Sequence, residues 1–141
     1  MVDTERVRTH LLKERRTTVA GVLVCGDHVE SEWANGSTTD RRALVDRFEA
    51  TLRDTDLFET LPTVLTECVE QAGATIPAQP VAAPPYVVVA STGVLLRATL
   101  DGGRLVVTIQ AFDVDQSGER PSYVRGPSEP ESAVMVAFRT Q

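Results

Sequence analysis

Lysine is almost missing from this 141-residue chain: Lys13 stands alone beside 13 arginines. Isoleucine is nearly as scarce, with Ile76 and Ile109 its only instances, while valine is abundant. Unbroken apolar stretches, glycine and alanine aside, reach only the length of VLVC at 22–25. A bilayer-spanning helix needs about 20 apolar residues, so no membrane partner is expected. The N-terminal segment MVDTERVRTHLLKERR mixes both charge signs without an apolar centre, unlike a secretory signal, and the expected compartment is the cytoplasm. There are two cysteines, Cys25 and Cys68, and no CxxC. Among apolar neighbours in a cytoplasmic chain, such thiols are expected reduced and buried. Asn35-Gly36-Ser37 then reads as a turn rather than a glycosylation acceptor. Phosphate-binding GxxxxGK[ST] and GxGxxG loops are missing, as are GxSxG and HExxH. Their absence lowers the odds of the common nucleotide, hydrolase and zinc chemistries.

What is present suits one globular domain. The chain is 42% hydrophobic and 24% charged, and its length allows a sizeable core without disulfide or metal. Net charge is −6 and the pI about 4.9. The charge is uneven: residues 1–75 hold 14 acidic and 9 basic side chains, residues 76–141 hold 6 and 5. No basic stripe runs along the sequence, so no nucleic-acid partner is expected.

The first 74 residues read as mainly helical. Asp3 or Thr4 caps a helix over 3–15 with Val7, Leu11 and Leu12 on its apolar face. Residues 17–33 fit two readings equally. As a helix they put Val19, Val22, Leu23, Gly26, Val29 and Trp33 on one face; as a hairpin turning at Gly26-Asp27 they align Val22, Val24, Val29 and Trp33. Helices follow at 39–54, capped by Thr38 or Thr39, and at 56–72, where Pro62 predicts a break near Thr60 and Gly73 a stop. Four prolines then make 75–85 an extended connector. Beyond it the period becomes two, predicting strands at 86–91, 94–100, 104–114 and 132–139, with a hairpin at Asp101-Gly102-Gly103 and a polar loop over 115–131. The expectation is an α+β single domain, N-terminal helices packed on an antiparallel sheet of about four strands.

The segments VLVCGD at 22–27 and APPYVVVASTGVLLRATLDGGRLVVTIQAF at 83–112 resemble a small haloarchaeal protein family of unknown function. The acidic, lysine-poor, Thr- and Val-rich composition agrees with that source, an actinobacterial origin being the competing reading. The resemblance implies halophilic adaptation and no particular activity. If 17–33 is a hairpin, the element order is also similar to roadblock or longin-type domains, which are dimerisation modules.

Candidate sites are few. Asp113, Asp115 and Ser117 have the spacing that opens an EF-hand calcium loop, but its twelfth position, which needs a bidentate carboxylate, is Val124. A turn at a strand end is the preferred reading. Cys25, His28 and Glu32 would share one helical face and offer a metal or thiol site. Glu30, Glu32 and Asp40 have nothing to fix their separation. His10 reads as a surface histidine. Tyr123 and Arg125 stand out in the polar loop, either as a docking anchor or with Tyr123 pinning the loop to the sheet. No cofactor is implied. The leading expectation is a non-enzymatic module binding a protein or small ligand, with a homodimer or a partner's strand added at a sheet edge. The rival is a small metal- or thiol-dependent enzyme built on Cys25 and His28.

Overall fold

In the computed structural model, which describes residues 2–140, the segment 17–33 is helix as far as Glu30 and a turn thereafter. Three helices build the first part of the chain around it: α1 (Thr4–Lys13), α2 (Arg16–Glu30) and, after a two-residue strand β1 (Ser37–Thr38), α3 (Arg41–Arg53). In α2, Thr18, Val19, Val22, Leu23, Cys25, Gly26 and Val29 are all buried, a continuous stripe at helical spacing. Val24, which a hairpin would have turned inward, is 62% exposed. The two strands needed for the roadblock-like order are therefore absent.

Local chemistry sets most helix ends. The Asp3 carboxylate accepts the Arg6 N–H at 3.1 Å and opens α1. Asp40, rather than Thr38 or Thr39, caps α3 by accepting the Ala43 N–H at 3.0 Å, because Thr38 is taken up in β1. Helix α4 (Leu57–Gln71) does not break at Thr60 as predicted. Pro62 lies inside it, where a proline costs ~3 kcal/mol, but Phe58, Leu61, Val64, Leu65, Cys68 and Val69 are buried along the same helix and hold it together. Its end is a Schellman motif: the Ala74 N–H donates to Val69 O and the Gly73 N–H to Glu70 O.

Residues 75–85 contain neither helix nor strand. Then come β2 (Val87–Ala90), β3 (Gly93–Leu100) and β4 (Gly103–Gln110). The expected hairpin turns at Asp101-Gly102, with Gly102 at φ 85°. The predicted strand 104–114 is in fact two. The N–H groups of Ala111 and Phe112 both donate to Thr92 O, and the chain bends there into β5 (Phe112–Asp115). The expected polar loop 115–131 likewise contains structure: β6 (Ser122–Arg125) and a four-residue helix α5 (Pro130–Ala133), before β7 (Val134–Thr140). A four-stranded antiparallel sheet runs β2-β3-β4-β7, and a three-stranded one β1-β6-β5. This is the α+β architecture expected.

The core lies between the helices and one face of the larger sheet. Val94, Leu96, Ala98, Leu100, Leu105, Val107 and Ile109 point into it, all at 6% exposure or less. Burying each larger side chain stabilises by about 1.5–3 kcal/mol. Phe112, fully buried at the bend, meets Phe48 edge-on with ring centroids 5.0 Å apart, and Trp33 at 5.8 Å. The opposite face of the sheet is left to solvent.

Candidate functional site

Strand alternation decides what that outer face carries. With the even-numbered positions of β3 and the odd-numbered ones of β4 turned inward, Leu95, Arg97 and Thr99 face out beside Arg104, Val106 and Thr108. The register of β7 adds Met135, Ala137 and Arg139; that of β2 adds Val88 and Ala90. Rows follow across the strands. Thr99 is opposite Arg104, and Arg104 opposite Arg139. One row further, Arg97 is opposite Val106 and Val106 opposite Ala137. The next row reads Val88, Leu95, Thr108, Met135. One end of the face is thus cationic and the other apolar, with Met135 half exposed at 50%.

No carboxylate occupies an outward position of these strands. Among the described residues, Arg97, Arg104 and Arg139 enter no ion pair and their side chains make no hydrogen bond. Arg104 and Arg139 sit directly opposite on neighbouring strands, where Cβ atoms are about 5 Å apart and like charges destabilise. Elsewhere five arginines are ion-paired: Arg15 with Glu67, Arg16 with Glu131, Arg47 with Glu32, Arg53 with Glu49 and Arg125 with Asp27. Arg6, Arg8 and Arg41 donate to neutral groups. Arg42 and Arg120 also lack a partner among the described residues, but they stand apart from this face. Setting the three aside, 11 basic side chains remain against 20 acidic ones. The outer face is therefore a small positive island on an acidic body.

The surface over the island is concave. A hollow of about 330 Å³ is lined by Leu95, Arg97, Arg104, Val106, Thr108 and Arg139. A second, about 180 Å³, lies between Arg97, Thr99 and Arg104 on one side and Tyr86, Pro85 and the connector residues Ile76–Ala78 on the other. A larger hollow of about 400 Å³ follows α1, but there Arg6 and Lys13 alternate with Asp3, Glu5 and Glu14, so its charges compensate locally.

The residues singled out from sequence lie elsewhere. Cys25 is 4% exposed and faces the core, whereas His28 is exposed. Glu32 lies beyond the end of α2 and its carboxylate accepts from Arg47 Nε at 2.7 Å and Nη2 at 2.8 Å, which lowers its pKa. Glu30 ends α2 and Asp40 caps α3, so these carboxylates have separate tasks. Burial raises the Cys25 thiol pKa and pushes that of Cys68 up to about 12; both thiols are free. Among the described residues no three His, Cys, Asp or Glu side chains converge to hold a metal. Asp113 and Asp115 sit on exposed positions of β5. Asp115 Oδ1 accepts from the Ser117 N–H at 2.9 Å and its hydroxyl at 2.6 Å, a turn at a strand end that lowers the Asp115 pKa.

Tyr123, on β6, is 9% exposed and belongs to the core cluster. Arg125, two residues on, is a hub with internal contacts. Its guanidinium donates to Asp27 Oδ1 at 2.7 Å, to Leu23 O and Pro127 O at 2.9 Å, and to Ala111 O. His10 is not the surface histidine expected. Its side chain is 13% exposed because α1 packs on α4, and Nε2 meets Glu67 Oε1 at 2.7 Å. Glu67 also accepts Arg15 Nε at 2.8 Å and Nη2 at 2.5 Å. Those Arg15 hydrogen bonds, helped by His10, hold its pKa down at about 2.

The sequence reading missed the outer face. A signal was present, since all three arginines occupy polar positions of period-two strands. Nothing along the chain says which strands are neighbours.

The chain belongs to the family described as Domain of unknown function (DUF7988), whose model matches residues 5–139. No curated protein and no solved structure matches it.

Proposed function

We propose that this chain, as a member of that family, is a non-enzymatic binding module whose protein partner docks on the outer face of the four-stranded sheet. One observation carries the reading: three arginines with no ion-pair or hydrogen-bond partner among the described residues share an uncovered face with Leu95, Val106 and Met135. A fold gains nothing internally from opposing Arg104 to Arg139, whereas an external group that lies between them relieves the repulsion. The enzyme reading loses support because the Cys25 thiol is buried whereas His28 is exposed. A two-fold homodimer through this face is disfavoured, since self-complementary contact would oppose six arginines drawn from three on each copy.

Cytoplasmic residence, a haloarchaeal source and adaptation to high salt belong to the same proposal. No described helix is long and apolar enough to cross a membrane. At molar salt the Debye length shrinks to about 3 Å, which screens the repulsion expected at net charge −6. The melting temperature should rise between dilute buffer and molar KCl; equal values in the two would contradict salt adaptation.

Photo-crosslinking in cells tests the docking face. A photoreactive residue at Met135 should give a discrete adduct with another protein that Arg104→Glu abolishes. The same residue at Val24, the most exposed large apolar position away from the sheet, should give none. Equal labelling from both positions, or adducts with the chain itself alone, would overturn the reading.

A further inference from the structure

Resting on the docking reading, we propose that the occupant is an extended segment of another protein carrying carboxylates at one end and apolar side chains at the other. Its carboxylates seat on Arg97, Arg104 and Arg139, and its apolar residues on Leu95, Val106 and Met135.

The polarity of the face dictates the polarity of the segment. Arg139 and Met135 are four residues apart on β7. At about 3.3 Å per residue, the cationic and apolar ends are roughly 13 Å apart along the strand direction. A chain lying along the strands reaches both ends with a few residues. Three guanidinium groups in two adjacent rows present forked donors, which carboxylates match with paired hydrogen bonds. The groove between Arg97, Thr99 and the connector gives the acidic end of such a segment a place to continue.

A nucleic acid fits the same charge less well. Binding of single strands relies on successive bases stacked on aromatic rings, and the outward positions of β3, β4 and β7 hold none, with Tyr86 the one ring lining the adjoining groove. A polyanion longer than the face also meets the acidic remainder of the chain, 20 acidic against 11 basic side chains. An anionic bilayer meets the same obstacle. A short segment with few charges avoids it, because its carboxylates touch the arginines through direct hydrogen bonds, closer than the roughly 3 Å Debye length of molar salt and far from the acidic remainder.

The experiment uses the full-length chain, isotope-labelled for amide NMR, and four probes. These are a short peptide of Asp and Glu followed by Leu and Val, its counterpart with Lys replacing the acids, a single-stranded oligoribonucleotide, and vesicles rich in anionic lipid. The acidic peptide should shift amides of β3, β4 and β7 and weaken about tenfold or more in the triple variant Arg97→Glu, Arg104→Glu, Arg139→Glu. The variant should instead bind the basic peptide. An unchanged melting temperature shows that it folds, Arg104 and Arg139 being exposed and Arg97 half-buried on the outer face; if it does not fold, Arg104→Gln supplies the same comparison. Stronger binding of the oligonucleotide or the vesicles, or no shift on these strands with the acidic peptide, would overturn the proposal. Should the Met135 crosslink persist while the acidic peptide fails, the docking face stands and this occupant falls. Loss of both removes the docking reading itself.

Discussion

Replacing Arg125 with methionine keeps the alkyl stem and removes the guanidinium. That group ties α2, the bend after β4 and the loop after β6 together through Leu23 O, Ala111 O and Pro127 O, with Asp27 at its outer edge. The Asp27 side chain is 60% exposed, so its ion pair contributes less than about 1 kcal/mol. The carbonyl bonds weigh more, because the Arg125 side chain is only 9% exposed. Hydrogen bonds from a charged donor are worth about 1.5–3 kcal/mol each but do not add fully within one network. Ala111 O keeps the Gly126 N–H as a second partner, which trims its loss. The expected cost is about 3–4 kcal/mol, a large share of the 5–15 kcal/mol typical of a domain. Arg125→Lys retains the charge without the fork and should cost about 2 kcal/mol. Asp27→Asn should cost under about 1 kcal/mol. Urea unfolding followed by Trp33 fluorescence measures all three, since Trp33 packs on Phe112 beside the bend. If Arg125→Met stays within about 1 kcal/mol of wild type, or Asp27→Asn costs as much, the carbonyl network does not hold this junction.

Glu67 sets an acid limit. Its pKa, about 2 when folded, lies below the ordinary 4.5, so its stabilisation is complete above about pH 4.5 and is lost as pH falls toward 2. Unfolding from pH 5 to 2.5 should weaken wild type by up to about 3 kcal/mol more than Glu67→Gln; parallel pH profiles would refute this. Gly93→Ala should cost at least about 3 kcal/mol, because a Cβ there overlaps the Ile109 carbonyl and meets Ala111 N at 3.0 Å. Gly102→Ala, with open space around it, should cost only about 1–2 kcal/mol in thermal melts; similar losses at both glycines would contradict the close approach. Ellman's reagent should leave Cys25 and Cys68 largely unmodified in native protein and react with both in denaturant, whereas fast native reaction would revive the thiol reading.

Helices and strands were legible wherever a period met a local signal. The stripe Leu44, Phe48, Leu52 announced α3, the Asp101-Gly102 turn announced the β3–β4 hairpin, and alternation in RLVVTIQ announced β4. Three features were not. Residues 17–33 carry two compatible periods, and only the core decided, by taking Leu23 and Cys25 and leaving Val24 outside. The strand after Arg104 looks unbroken to Val114, yet Thr92 O captures two successive N–H groups and splits it. Pro62 signals a break that the buried stripe of α4 overrides.

Composition, periodicity and caps, which depend on near neighbours in the chain, determined an α+β fold with its main helices before its larger sheet. Tertiary structure alone decided the positive face. Arg97, Arg104 and Arg139 come from three strands, and antiparallel register puts them in adjacent rows. Charge along a sequence is read by spacing, whereas charge on a sheet depends on which strands are neighbours, and that order is set by packing the opposite face.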